Sequence, residues 1–380
     1  VSAEVLAGLT VDAVDWDHAD AVRLRAEQQH EIDLRYAQPG RPPETGPDGL
    51  PVRDTRDQVD PDTLLATLVL RVDGVPAGHA AVRDLSGRDD YRGGLHPDAT
   101  AEVKRVFVAA GFRGRGLSRT LMEAAEDAAR AAGARHLILE TGLMQPESLG
   151  LYLRMGYDPV ESFGVWSSEP GSRCFGKWLV PDAVTGPDLG RTPAPRPAVT
   201  LREVPWGDPD AVALRRAMWA FLQERYPELV PDVEARGGHD AVDAERGRAA
   251  LATFVATLDG RPVGCATLVA AGAGPRHLTA DPVRGIGGLA SAGTPDAPGF
   301  EMRSVFVDPD VRRAGVATSL VRRLEDEARG RGGRALFLAT GFRQPEALRL
   351  YVGLGYRPVL PYPPHGTPDD PLLLYLGKPL

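Results

Sequence analysis

Apolar and polar residues alternate in two rhythms along this chain, and the same succession of rhythms occurs twice. In the first half, apolar positions at helical spacing (Ala21, Val22, Leu24 and onward) predict a helix, after which Leu64–Val72 and Ala77–Val82 take up strand patterning. Val103–Val108 predicts another strand, Gly111–Gly116 a turn, Leu117–Ala132 a helix stopped by Gly133, and Leu137–Leu139 a short apolar strand. A helix over Pro146–Met155 and strands near Val160–Ser167 and Arg173–Leu179 complete the set. The second half repeats each step, so the expected fold class is α/β, a mixed sheet of α+β type, in two consecutive domains.

The repetition extends to residue identity. Glu102–Tyr157 aligns with Glu301–Tyr356 at a constant offset of 199 residues, without a gap and with 25 identities in 56 positions. Such a period is far longer than that of a solenoid and denotes domain duplication. Upstream, Trp16, Ala21-Val22 and Tyr36 match Trp206, Ala211-Val212 and Tyr226 at a shorter offset. The extra segments Pro39–Pro61 and Gly272–Gly299 read as loops, and the proline-rich stretch Pro181–Pro197 reads as an extended linker. The expected domains are therefore 1–180 and 198–380, joined by 181–197.

Composition narrows the class. A length of 380 residues suits two cores, and 43% apolar with 25% charged residues is ordinary for globular chains. No apolar run approaches the roughly 20 residues of a membrane span, and the acidic first 30 residues are unlike a secretory signal, so a cytoplasmic protein without a membrane partner is expected. Net charge is −8 with basic residues interleaved among acids, which provides no nucleic-acid footprint. Cys174 and Cys265 lack metal-ligand or disulfide spacing; they are expected to be reduced core thiols, and no metal is expected.

Candidate chemistry lies at the glycine turn. Arg113-Gly-Arg-Gly-Leu-Ser118 joins a strand to a helix start, where unpaired N–H groups and the positive helix end favour phosphate; Arg312-Arg-Ala-Gly-Val-Ala317 is its counterpart. Close helix packing would explain the glycines equally well. Neither segment has the P-loop pattern or Rossmann spacing, so any diphosphate ligand is of another kind.

An R-x-x-G-x-(G/A) turn, preceded by Val-Phe-Val and followed by L-Y-x-x-x-G-(F/Y), resembles the GNAT acetyltransferase superfamily in both halves. The resemblance implies acetyl-CoA as acyl donor. It places the pyrophosphate on Arg113, Gly114, Arg115, Gly116, Leu117 and Ser118, and on Arg312, Arg313, Ala314, Gly315, Val316 and Ala317. It places the pantetheine arm against Val106, Phe107 and Val108, and against Val305, Phe306 and Val307. It further implies direct transfer to the primary amine of a small molecule in a ternary complex, with Tyr152 and Tyr351 as proton donors. Glu102, Glu301 and Glu140 are candidate general bases, each with surface ion pairing as the plainer alternative. Ser118 stands where glycine or alanine is usual.

The first copy is similar to a bacterial subgroup at Glu102–Arg105, Leu139–Gly142 and Ser172–Lys177, whereas the second has Ser304 for Arg105 and Ala339 for Glu140. The first copy is thus expected to be the catalytic centre of an intramolecular pseudo-dimer. One degenerate copy, or a non-catalytic acyl-CoA scaffold, are the alternatives. Acceptor contacts are expected from the loops at 30–62 and 226–245.

Overall fold

The structure, a computed structural model, describes residues 8–36, 59–179, 198–271, 299–362 and 371–380. By its internal contacts the chain divides into two compact units, Val1–Ala183 and Val184–Leu380. The linker Pro181–Pro197 and most of the two expected loop insertions lie outside the described residues.

The first unit runs β1 (Leu9–Ala13), α1 (Ala19–Tyr36), β2 (Leu64–Val72), β3 (Val75–Asp84), β4 (Thr100–Val108), α2 (Leu117–Ala131), β5 (His136–Gly142), α3 (Pro146–Arg154), β6 (Asp158–Pro159) and β7 (Ser172–Trp178). The second runs β8 (Val199–Val204), α4 (Pro209–Arg225), α5 (Val230–Ala235), α6 (His239–Gly247), β9 (Ala250–Leu258), β10 (Arg261–Ala270), β11 (Gly299–Val307), α7 (Val316–Gly330), β12 (Ala335–Gly341), α8 (Pro345–Gly353), β13 (Arg357–Pro358) and β14 (Leu373–Pro379). Each unit holds one seven-stranded sheet, in the order β1-β2-β3-β4-β5-β7-β6 and β8-β9-β10-β11-β12-β14-β13. Pairing is antiparallel except for β4 with β5 and β11 with β12, so both units have the mixed sheet expected of them.

The cores follow from the patterning. On α2, Leu117, Leu121, Met122, Ala125 and Ala129 form one buried stripe, and Val316, Leu320, Val321, Leu324 and Ala328 form it on α7. Leu121 and Leu320 are wholly buried, each worth roughly 1.5–3 kcal/mol of transfer free energy. Under each stripe lies a repeated polar cluster. Glu126 accepts from Tyr157 Oη at 3.1 Å and Lys177 Nζ at 2.7 Å; Glu325 accepts from Tyr356 at 3.1 Å and Lys378 at 2.8 Å. The final tyrosine of the L-Y-x-x-x-G-Y motif, Tyr157 or Tyr356, and the C-terminal Gly-Lys pair are thereby explained as core architecture.

Two expectations are corrected. The strand near Val160–Ser167 does not form: backbone bonding to β7 ends with the Val160 N–H on Cys174 O at 3.0 Å, and Gly164–Trp166 is a 3-10 turn. Its apolar residues are spent on packing instead, with Phe163 buried among Leu85, Ile138 and Cys174. The edge strands β1 and β8, each ahead of the first helix, were not expected; their burial is only partial, which weakens the pattern that would have announced them.

Candidate active site

The site begins with an interruption of the sheet. Strands β4 and β5 pair over only three residues, Thr100–Glu102 with His136–Ile138, and β11 pairs with β12 only over Gly299–Glu301. Next along the strand, Arg105 takes φ 59° and Ser304 φ 51°, a left-handed conformation that side chains adopt at a cost. The pairing with β3 and with β10 shifts register at the same place, marking a β-bulge that turns the rest of each strand away from its parallel neighbour. Beyond the bulge, Phe107 pairs with His79 and Phe306 with Cys265, so alternate backbone groups at Val106, Val108, Val305 and Val307 face the opened side.

The bulge carbonyl is held differently in the two units. Arg105 O lies 3.0 Å from His79 Nδ1, and Ser304 O receives the Cys265 thiol at 3.5 Å. Because Arg25 Nη1 donates toward His79 Nε2 at 3.2 Å, the imidazole carries its proton on Nδ1 and donates it to Arg105 O. Burial, with the charges of Arg25 and Arg105, pushes His79 down to about 4 and keeps it neutral. Cys265 is pushed up to about 12 by burial, and Cys174 likewise; both are free, buried thiols, as expected.

At the turn, Gly116 and Gly315 precede α2 and α7 with φ 82° and 85°, and no side chain caps either helix. The first-turn N–H groups are left for an external anion. Gly114 has φ 78°, and its counterpart Arg313 retains φ 69° despite carrying a side chain. The loop keeps its shape in the second unit at a local cost of roughly 1–2 kcal/mol.

The motif arginines diverge. Arg113 Nε donates to Val108 O at 2.8 Å, and its guanidinium binds both carboxylate oxygens of Glu31 on α1. Gln28, one turn earlier, donates to Val106 O at 3.0 Å. In the first unit, carbonyls on the opened side of the strand are therefore already occupied by side chains. At the corresponding positions α4 carries Met218 and Phe221: Met218 has no N–H to donate, and Arg312 lies 4.9 Å over the Phe221 ring.

The catalytic candidates fall as follows. Tyr152 and Tyr351 are buried on α3 and α8, and both phenols are pushed well above their ordinary value, Tyr152 by burial and the charges of Glu140 and Glu147, Tyr351 by burial. Glu102 is buried and bound by Arg83 at 2.6 Å, with Lys104 at 3.6 Å. Glu301 is equally buried and gripped on both oxygens by Arg303, at 3.1 and 3.0 Å. Glu140 accepts from Ser172 Oγ at 2.6 Å. In the second unit, a cavity of about 1210 Å³ is lined by Val305–Val307, Arg312–Ala317, Glu301 and Tyr351 together. It also reaches Trp206, Tyr226 and Arg246, so part of the 226–245 region borders it, although that region is helical over Val230–Ala235 and from His239 rather than the expected loop; 37–58 of the first unit lies outside the described residues. Gln28, Glu31, His79 and Arg246 were not singled out from sequence; comparing the first helices of the two copies position by position would have flagged Glu31 against Phe221.

Two split mixed sheets, each opening beside an uncapped, glycine-led helix start, define a duplicated α/β protein built around a repeated anion-accepting turn. The model of the Acetyltransferase (GNAT) family matches residues 28–157 and again 212–356, and the chain belongs to that family. It is 38% identical over 103 residues to the IAA acetyltransferase of Azospirillum brasilense, a match over 27% of this chain and 61% of that protein. It is 42% identical over 55 residues to the streptothricin acetyltransferase of Streptomyces lavendulae, covering 14% and 29%. The chain thus spans less than two thirds of the length of either relative. Among solved structures it is similar to a GNAT family acetyltransferase from Elizabethkingia anophelis, with TM-score 0.29 and 15% identity over 48% of this chain and 98% of that one.

Proposed function

We propose that this protein is an acetyl-CoA-dependent N-acetyltransferase that acetylates the primary amine of a small molecule by direct transfer in a ternary complex, and that the second unit carries the chemistry. The observation that carries this reading is the cavity in which strand backbone, glycine turn and Tyr351 meet. An added Cβ at Gly315 would meet nothing within 4 Å, so the turn is open beside the helix start. Arg312–Ala317 would hold that diphosphate, and Val305 and Val307 would pair with an amide-bearing arm. The coenzyme, when bound, supplies the acetyl thioester.

Tyr351 keeps its proton on Oη at neutral pH. The burial that keeps it there makes full transfer costly, so its part is a hydrogen bond donated toward the charge that develops on the departing sulfur. Glu301, buried at the cavity wall and held by Arg303, is the carboxylate placed to accept a proton from the acceptor ammonium before attack. Glu140 has no second-unit counterpart, since Ala339 stands there. The first unit, with Gln28 and Arg113 on its strand carbonyls, is assigned a structural or weak coenzyme-binding role. This reverses the division of labour expected from sequence.

The test compares Tyr351→Phe with Tyr152→Phe, measuring release of coenzyme thiol against an amine panel. Loss of about 10²–10³ in kcat for Tyr351→Phe alone is expected. The opposite pattern would move the chemistry to the first unit, and silence of both variants would remove the tyrosines from the mechanism.

A further inference from the structure

The second unit's cavity contains a cation that the acetyl-transfer chemistry leaves unused. Arg246 lines it near the end of α6, together with Arg303 of β11. Each carboxylate in its electrostatic surroundings is already bound to another arginine. Asp243 is gripped by Arg215 at 2.7 and 2.9 Å, Glu245 by Arg236 at 2.7 Å, and Glu301 by Arg303. Arg246 itself forms no ion pair among the described residues. Arg246 is exposed where it borders the cavity, so an anion entering the cavity can reach its guanidinium.

Its position is built in. Gly247, the next residue, lies against Trp206, and a Cβ there would come within 2.5 Å of the indole, so only glycine lets the end of α6 settle on that ring. Trp206 is in turn stacked under Arg215, whose guanidinium carbon lies 3.6 Å from the ring centroid. Arg215 also donates to Trp206 O at 2.9 Å and binds Asp243 of α6. The Trp206–Arg215–Asp243 cluster thus fixes α6 against α4 and sets Arg246 on the cavity wall. The first unit repeats the tryptophan–arginine stack with Trp16 and Arg25, at 3.6 Å, but there the arginine meets His79.

We infer that the acceptor of the second unit is an amine that also carries an anionic group, carboxylate or phosphate, which Arg246 binds while the amine lies toward the coenzyme turn. The inference rests on the acetyltransferase reading of this unit. A guanidinium binds both kinds of anion through paired N–H donors, and loss of one such charge-assisted contact costs about 10- to 100-fold in affinity.

Two measurements on the full chain test it. In the first, N-acetylated α-amino acids and N-acetyl-O-phosphoethanolamine, each beside its uncharged amide or alcohol, are titrated calorimetrically into protein saturated with coenzyme A. In the second, coenzyme thiol release is followed with the corresponding free amines. At least tenfold preference for the charged member is expected, abolished in Arg246→Gln and largely restored in Arg246→Lys, with KM rather than kcat carrying the change. The carboxylate and phosphate arms tell the two anions apart. Charged binding without thiol release would overturn the transferase reading and leave the anion site standing. Equal binding of charged and neutral members, binding of neither, or a preference unchanged in Arg246→Gln would overturn the anion site.

Discussion

Arg113 and Glu31 form a forked ion pair between the glycine turn and α1, with Nη1 to Oε1 at 3.2 Å and the second nitrogen on Oε2. In the second unit the same two positions are Arg312 and Phe221, which meet ring to guanidinium. The residue at this position of the first helix therefore decides whether the motif arginine is held there by a forked ion pair or by a ring contact, and in the second unit Arg312 also has Glu346 at 3.9 Å.

Glu31→Gln is expected to release Arg113. With the second site silenced by Gly315→Asp, coenzyme A titrated calorimetrically should bind the first unit about tenfold more tightly in the Glu31→Gln background, the worth of one charge-assisted contact. Unchanged affinity would show that Gln28, not Arg113, closes the strand. Burial alone would raise the Glu31 carboxyl, but the hydrogen bonds and charges of Arg113 and Arg35 outweigh it and hold the group below its ordinary value. The pair's contribution is therefore complete above the ordinary carboxylate range and is lost as pH falls through the lowered value.

His79 should make the first unit acid-sensitive. Its folded pKa of about 4 lies below the unfolded 6.5, so between these values the unfolded chain binds more protons and stability falls as pH falls. The full loss, about 3 kcal/mol, is reached below pH 4. Cys265 does not titrate in this window, so the second unit should not share the effect. Thermal unfolding from pH 7 to 4 should show the slope in wild type and a flatter profile in His79→Cys. Equal slopes would assign acid sensitivity to other groups.

Gly341→Ala should displace Tyr226, since an added Cβ would lie 2.1 Å from its hydroxyl oxygen and 2.5 Å from its Cζ. Overpacking of this kind costs about 1–3 kcal/mol. Tyr226→Leu should remove most of that penalty, so the double variant is expected to be more stable than the sum of its single changes allows. Strict additivity in denaturant unfolding would place the strain elsewhere.

Much of this molecule could be read along the chain. The duplication, the order of elements, the buried stripes of α2 and α7 and the helix-leading glycines Gly116 and Gly315 depend on neighbours within a turn or a strand, where periodicity and residue type suffice. What the tertiary structure decided depends on partners far apart in sequence. The bulges at Arg105 and Ser304 arise where one strand must serve two different neighbours, and beyond Val160 the chain leaves β7, with Phe163 packed beside Cys174 and Ile138. Arg113 is bound across 82 positions by Glu31, whereas Arg246 has no acidic partner among the described residues, Asp243 and Glu245 being turned to Arg215 and Arg236. A charge's role depends on which opposite charge reaches it first in space, and that choice is made only when helices and sheet close around it.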